Sequence, residues 1–150
     1  MTTNEIIQIV TAFIGSLGFA ILFNVRGIKL LIASLGGFLA WLLFVLLGYL
    51  SVHNEPIRYF IVAAAVSLYA EIMARVFRTP TTTFIITALI PLIPGSSLYY
   101  TMAYAFDSDM ARFIEKGIYT LELAVALALG ILAIGAVMQV VNTLHAVKKK

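Results

Sequence analysis

The sequence predicts an all-α integral membrane protein with five transmembrane helices, the fourth of which is broken between Pro91 and Gly95. Hydrophobic residues make up 62% of the chain and charged residues 11%, whereas a soluble domain carries about 25% charged residues. The apolar residues are grouped in runs, each close to the ~20 residues that span a bilayer. Because these runs use nearly all of the 150 residues, we expect one transmembrane domain over residues 1–150 and no soluble enzymatic domain.

Short polar or basic connections separate the predicted spans. Residues 26–29 form a tight basic connection, and residues 107–116 form the longest one, which is charged and expected to be partly helical. The fifth apolar run is longer than a bilayer requires, which favours a tilted helix or one that leaves the membrane. The predicted spans cover residues 6–25, 30–50, 57–77, 82–106 and 117–144.

The distribution of basic residues predicts the orientation, because cytoplasmic connections are enriched in Lys and Arg. Only Arg58, Arg112 and Lys116 fall on the side opposite to the C-terminus. We therefore expect the N-terminus outside and the C-terminus in the cytoplasm. The basic residues on the C-terminal side are Arg26, Lys29, Arg75, Arg78, Lys148, Lys149 and Lys150.

The fourth apolar run contains a helix break. Pro91 and Pro94 each remove an amide donor and clash with the preceding turn, and Gly95 favours a change of direction. Such breaks occur where protein or a water-filled cavity surrounds them, because lipid would leave backbone groups unpaired. The break lies about ten residues into the run, about 15 Å at 1.5 Å per residue, and therefore near the membrane centre. An ordinary proline kink is the alternative.

The half-helix after the break is a candidate anion site. Its N-terminus carries about half a positive charge and unpaired amide donors, which suit the carboxylate of a small substrate. The predicted substrate-binding residues are therefore Gly95, Ser96, Ser97 and Tyr99. The alternative for the tyrosines is an aromatic belt at the membrane interface, which suits Tyr104 better than Tyr99.

Two acidic residues lie within predicted spans, where an ionisable residue is a candidate for function. Glu71 and Arg75, one turn apart on the same face, are candidates for proton coupling, in which Glu71 carries a proton or pairs with a cation and Arg75 tunes it. A structural ion pair between the two residues is the alternative. The small residues Ala63 and Ser67 continue this face, so we expect it to point at protein rather than lipid. Glu122, near the outer end of the fifth span, is the second candidate for proton coupling, with a position among headgroups as the alternative.

Several classes of function are not predicted. The chain has no Cys, which excludes disulfides, thiol catalysis and Cys-ligated metals. His53 and His145 lack metal-ligand spacing, and the sequence contains no Ser-His-Asp set or phosphate loop. The net charge of +3 comes from basic residues at span ends, without the basic helix and interleaved aromatics that favour nucleic-acid binding. We expect no enzymatic activity, cofactor, metal or nucleic-acid partner.

Two segments resemble parts of the threonine/serine exporters, the ThrE-like family. The run GFAILFNV at residues 18–25 resembles the end of the family's first helix. The run AEIMAR at residues 70–75, followed by IPLIPG at residues 90–95 and LYYTM at residues 98–102, resembles its most distinctive block. The whole chain is similar to the C-terminal membrane half of these exporters, which also occurs as a separate small subunit of the YjjB type. One departure is Arg26, where the family often has proline.

The resemblance implies a proton-driven exporter of threonine and serine in the bacterial inner membrane, surrounded by membrane lipids. It also implies a second, YjjP-like membrane subunit, and a homo-oligomer stays open. The alternatives are a subunit that exports a dicarboxylate such as succinate and a scaffold that only stabilises a transporting partner. The positions that match the family's motifs are Asn24, Glu71, Arg75, Pro91, Pro94 and Gly95.

Overall fold

The computed structural model describes residues 2–50 and 52–148, with side chains up to residue 144. The predictions made for His145 and the C-terminal lysines therefore lie outside the described side chains. The described residues form six α-helices and one short 3₁₀ helix, which confirms the all-α prediction. The elements are α1 (Thr3–Leu22), α2 (Ile28–Tyr49), α3 (Glu55–Val76), α4 (Thr82–Leu89), the 3₁₀ helix (Ile90–Leu92), α5 (Gly95–Phe106) and α6 (Met110–Lys148).

The lengths and composition of these helices agree with five membrane crossings. The helices α1, α2, α3 and α6 are each long and apolar enough to cross a bilayer. The remaining crossing, which is the fourth along the chain, is made by α4 and the 3₁₀ helix together with α5. These helices pass the same test as a pair bent by 56°. The predicted break in the fourth span is therefore confirmed.

The ends of α1 follow local sequence signals. The helix begins earlier than the predicted span because Thr2 and Glu5 form a capping box, in which each side chain accepts a hydrogen bond from the other residue's amide. It ends at Leu22, since Asn24 adopts a positive φ of 58°. Asn is several-fold enriched in this conformation relative to other non-glycine residues.

The charged connection expected over residues 107–116 is mostly helix. The α6 helix begins at Met110, where the side chain of Asp109 accepts the amide of Arg112 at 3.1 Å and caps the first turn. The helix therefore has 39 residues. At 1.5 Å per residue it is about 58 Å long, nearly twice the hydrocarbon thickness of about 30 Å.

The central helix of the bundle is α2, which packs against α1, α3 and α4, whereas α6 packs against α3 and α5. The start of α1 and the end of α2 meet where the Tyr49 hydroxyl donates to Glu5 Oε2 at 2.6 Å. We call this end of the bundle the N side. The ends of α3 and α6 meet where Arg75 Nη2 donates to Asn142 Oδ1 at 2.8 Å. We call that end the C side.

Small residues allow α3 and α6 to approach closely, as expected for membrane helices. Gly130 of α6 faces the backbone of α3, where a Cβ atom on this glycine would stand 2.6 Å from the carbonyl oxygen of Phe60. Ala63 and Ser67 are buried. The prediction that this face of α3 points at protein is therefore confirmed.

Candidate functional site

The break between α4 and α5 follows a defined backbone path. The α4 helix continues as the 3₁₀ helix, which contains Pro91. Ile93 is then extended, with φ −61° and ψ 124°, as expected for a residue that precedes proline. Pro94 precedes Gly95, the first residue of α5. The two prolines thus end one helix and start the next in a new direction.

The N-terminus of α5 opens toward the surface of the chain. Pro94 supplies no side-chain cap, and the first amides of a helix have no acceptor within it. No heavy atom of the described residues, chain neighbours aside, lies within 4 Å of the position that a Cβ on Gly95 would take. Ser96 is exposed, and Tyr99 is 69% exposed. Three of the four predicted substrate-binding residues therefore lie together at an uncovered helix end.

Ser97, the fourth predicted residue, contacts α6 instead. It is buried, and its Oγ accepts a hydrogen bond from Thr120 Oγ1 at 2.9 Å. Thr101, one turn further along α5, has its Oγ1 3.2 Å from the same Thr120 oxygen. We call these three side chains the hydroxyl cluster. They join α5 to α6 directly below the open helix end.

Glu71 lies on the C side, beside the start of α4. It is half-buried, and its Oε1 accepts a hydrogen bond at 3.1 Å from the hydroxyl of Thr81, the residue before α4. Arg75 donates instead to Asn142 of α6. All four residues line one cavity of about 390 Å³. The site therefore connects α3, α4 and α6.

Glu71 and Arg75 share this cavity without forming an ion pair. Among the described residues, the one ion pair within 4.0 Å joins Asp109 and Arg112, at 3.5 Å. Glu71 and Arg75 each have a polar partner outside their own helix. The structure therefore does not contain the structural pair that was the alternative interpretation of Glu71.

Glu122 lies toward the N side of α6 and is exposed at the surface of the chain. One turn before it, the hydroxyl of Tyr119 donates to the carboxylate of Glu55, the first residue of α3. Glu122 is therefore near the level at which α3 begins, whereas Glu71 lies near the opposite end of α3. The structure does not bring the two predicted proton-coupling carboxylates together.

A polar site that the sequence analysis did not identify lies on the N side, between α1, α2 and α3. A cavity of about 350 Å³ opens there, which we call the N-side vestibule. It contains two residues of opposite charge, Glu5 and Arg58. Its lining residues are Glu5, Gln8, Trp41, Phe44, Val45, Gly48, Tyr49 and Arg58.

A second cavity, of about 250 Å³, lies between the vestibule and the helix break. Its lining includes Thr11 and Gly15 of α1 and Pro91 of the break. Gln8 and Trp41 line both cavities, and Trp41 Nε1 donates to Gln8 Oε1 at 3.3 Å. The sequence did carry a signal for this region, because polar residues recur every three positions in the first half of α1, at 5, 8 and 11.

Asn24, a position that matches the family's motifs, lies on the C side in a cavity of about 510 Å³. The Oδ1 atom of Asn24 accepts a hydrogen bond from Arg26 Nε at 2.9 Å. The same cavity is lined by Lys29 and by Thr82 at the start of α4. Arg26, the residue that departs from the family's pattern, is therefore anchored by the side chain of Asn24, two residues before it in the turn.

The chain is similar to a known protein family, whereas no curated protein and no solved structure matches it. The sequence model described as threonine/serine exporter, ThrE, matches residues 8–137, which are most of the chain. The match includes the break, Glu71, the lining of the vestibule except Glu5, and the lining of the second cavity. The chain therefore belongs to the threonine/serine exporter family, a family of membrane transporters.

Proposed function

We propose that this chain is one subunit of a proton-coupled exporter of threonine and serine, completed by a YjjP-like membrane subunit or by a second copy of itself. The observation that carries the proposal is the uncovered N-terminus of α5 at the break. A helix start at membrane depth needs polar partners, because hydrocarbon offers none. A substrate carboxylate and the adjoining subunit together supply them.

The substrate site is built from the start of α5. Amide donors and about half a positive charge at a helix N-terminus stabilise a carboxylate. Ser96 adds an exposed hydroxyl, and Gly95 leaves room for the substrate to approach the backbone. Tyr99, also exposed, lies one turn further on. Ser97 acts through the hydroxyl cluster, which holds this helix start against α6.

Glu71 is the proposed proton carrier. Hydrogen bonds to ionised groups are about twice as strong as neutral ones, so protonation of Glu71 weakens its bond from Thr81 and loosens α3 from the start of α4. Because α4 leads directly into the break, the protonation state of Glu71 acts on the substrate site. Arg75, held by Asn142, keeps a positive charge in the same cavity. Glu122 exchanges protons with the solution on the N side.

The proposed setting is the bacterial inner membrane, with the N side outside and the C side in the cytoplasm. The excess of basic residues on the C side supports this orientation. Arg26, Lys29 and Arg78 are all near helix ends there. Protons then enter from the N side, and the amino acid leaves toward it.

The experiment that tests proton coupling is Glu71→Gln. Glutamine keeps the shape and can still accept a hydrogen bond from Thr81, but it cannot carry the proton. In everted membrane vesicles with an acidic interior, we expect the gradient-driven accumulation of threonine to fall at least tenfold, while threonine–threonine exchange without a gradient continues. Glu115→Gln, at an exposed position in the first part of α6, serves as the matched control and should transport normally.

Accumulation by Glu71→Gln at the rate of the unmodified protein would contradict the assignment of Glu71. Succinate is measured in the same vesicles. Gradient-driven uptake of succinate in place of threonine would assign the complex to dicarboxylate export.

Accessibility of Ser96 separates a transporting subunit from a scaffold. Because the chain has no Cys, Ser96→Cys introduces a single thiol at the start of α5. We expect a membrane-impermeant maleimide to label it in the assembled complex, and threonine to slow the labelling at least threefold. Leu132→Cys, at an exposed apolar position near the middle of α6, is the control for a lipid-facing thiol. A Ser96→Cys thiol that resists labelling in every condition would favour the scaffold.

A further inference from the structure

The N-side vestibule presents a positive and a negative side chain that are not paired with each other. Glu5 and Arg58 both line it, but they do not form an ion pair, because the one ion pair among the described residues joins Asp109 and Arg112. Its volume of about 350 Å³ falls in the range of small-molecule pockets, about 300–1,000 Å³. Two unpaired opposite charges in such a cavity favour a ligand that carries both charges itself.

Arg58 is held in a geometry that suits a carboxylate. Its guanidinium carbon lies 3.9 Å from the centre of the Phe44 ring, and its Nη2 donates to the Phe44 carbonyl oxygen at 2.6 Å. Stacking of the guanidinium on the ring leaves its remaining N–H groups directed along the guanidinium plane. The Nε atom is buried and has no hydrogen-bond partner among the described residues, so the donors offered to a ligand are those of the two outer nitrogen atoms. A planar carboxylate is the acceptor that this fork fits best.

Glu5 is fixed on the opposite helix. Its Oε2 accepts hydrogen bonds from the Tyr49 hydroxyl at 2.6 Å and from the Thr2 amide at 2.7 Å. These bonds hold the carboxylate at the mouth of the vestibule without neutralising it. A carboxylate held in this way is a partner for an ammonium group.

The vestibule also lies next to the proposed transport route. Gln8 and Trp41 form its inner wall and, on their other side, line the cavity that reaches Pro91. The single hydrogen bond between them, at 3.3 Å, is long for an N–H···O bond. A ligand that moves from the break toward the N side would pass this pair and enter the vestibule.

We propose that the N-side vestibule binds the zwitterionic group of an amino acid, with the carboxylate at Arg58 and the ammonium at Glu5. This inference rests on the proposed function and extends it, because it adds a second substrate site on the N side of the break. A phosphatidylethanolamine headgroup carries the same pair of charges, so the experiment must separate the lipid from the free amino acid.

The test measures equilibrium binding of radiolabelled L-threonine to the full chain in phosphatidylglycerol nanodiscs, without a gradient. L-threonine methyl ester lacks the carboxylate, and N-acetyl-L-threonine lacks the ammonium. All binding is measured on the Gly95→Leu background, which blocks the site at α5. We expect both analogues to bind at least tenfold more weakly than threonine.

Two substitutions assign the two charges separately. In Arg58→Gln, threonine and its methyl ester should bind equally, because the partner of the carboxylate is gone. In Glu5→Gln, threonine and N-acetylthreonine should bind equally. Arg112→Gln and Glu115→Gln, both exposed on the first part of α6, should keep the original discrimination. Since the readout is a ratio between ligands, partial misfolding of a variant does not imitate it.

The site is supported if Arg58→Gln no longer discriminates against the methyl ester and Glu5→Gln no longer discriminates against N-acetylthreonine. Unchanged discrimination in Arg58→Gln and Glu5→Gln overturns it. Threonine affinity that is the same after phosphatidylethanolamine is added to the nanodiscs supports the free amino acid, whereas competition by this lipid overturns that assignment in favour of the headgroup. A normal binding pattern in a chain that shows no gradient-driven export would support the vestibule and count against the proposed function alone.

Discussion

Gly130→Val is expected to prevent α6 from docking on α3. A Cβ atom at this position would stand 2.6 Å from the Phe60 carbonyl oxygen and 2.8 Å from the Ala63 Cβ. Both atoms belong to a rigid helix, so the clash is relieved only if the two helices separate. Overpacking of this kind costs about 1–3 kcal/mol and occasionally more, and the backbone contact puts Gly130→Val at the upper end.

The measurement is thermal unfolding in detergent, with Gly135→Val as the matched control. Gly135 lies five residues later in the same helix, and no atom outside its own helix backbone comes within 4 Å of its Cβ position among the described residues. Both substitutions change helix propensity equally, so their difference reports packing alone. We expect Gly130→Val to unfold roughly 5–10 °C lower than the control. Equal unfolding temperatures would show that the close approach of α6 and α3 is wrong.

Gly95→Leu is expected to abolish export without unfolding the chain. The space beside Gly95 is open and its φ is negative, so a leucine side chain fits without strain. It projects over the start of α5, where the substrate carboxylate is proposed to approach the amide donors. We expect gradient-driven transport of threonine to fall at least tenfold in vesicles that contain the complete transporter.

Gly95→Ala controls for the loss of glycine, because a methyl group covers little of the helix end and should leave most of the transport intact. The free energy of unfolding of Gly95→Leu should stay within the ±0.5 kcal/mol that is usual for exposed positions. Unimpaired export by Gly95→Leu would mean that substrate does not pass the start of α5.

The helix break could be predicted from the sequence because its causes are local. Proline removes a donor and restricts the residue before it wherever it occurs, and the structure places Pro91 and Pro94 on the two sides of an extended Ile93. The early start of α1 also has a local cause, since Thr2 and Glu5 have the spacing of a capping box, although the predicted span began at residue 6.

The prediction that the charged connection over residues 107–116 is partly helical is confirmed, but the start of α6 at Met110 could not be read from hydropathy. Asp109 caps α6, and the charged residues Arg112 and Glu115 of its first turns are exposed. Helix starts are decided by such caps more than by hydropathy, and a search for runs of apolar residues does not detect them.

The contacts of Glu71, Arg75 and Arg58 could not be predicted from spacing. An i, i+4 pair is a possibility that holds only when no better partner approaches, and here Thr81 and Asn142 do. Arg58 meets Phe44 only after α2 and α3 pack. The vestibule is therefore a product of three helices, and no single segment of the chain encodes it.

The hydroxyl cluster has a mechanical consequence. Among the described helices, α5 makes its extensive contacts with α6 alone. The hydroxyl contacts of Thr120 with Ser97 and Thr101 join the two helices. A rotation of α6 relative to α3 would then also move the start of α5, with the extended Ile93 as the hinge. The two helices would move as one body, and their tilt would expose the proposed anion site to each face of the membrane in turn.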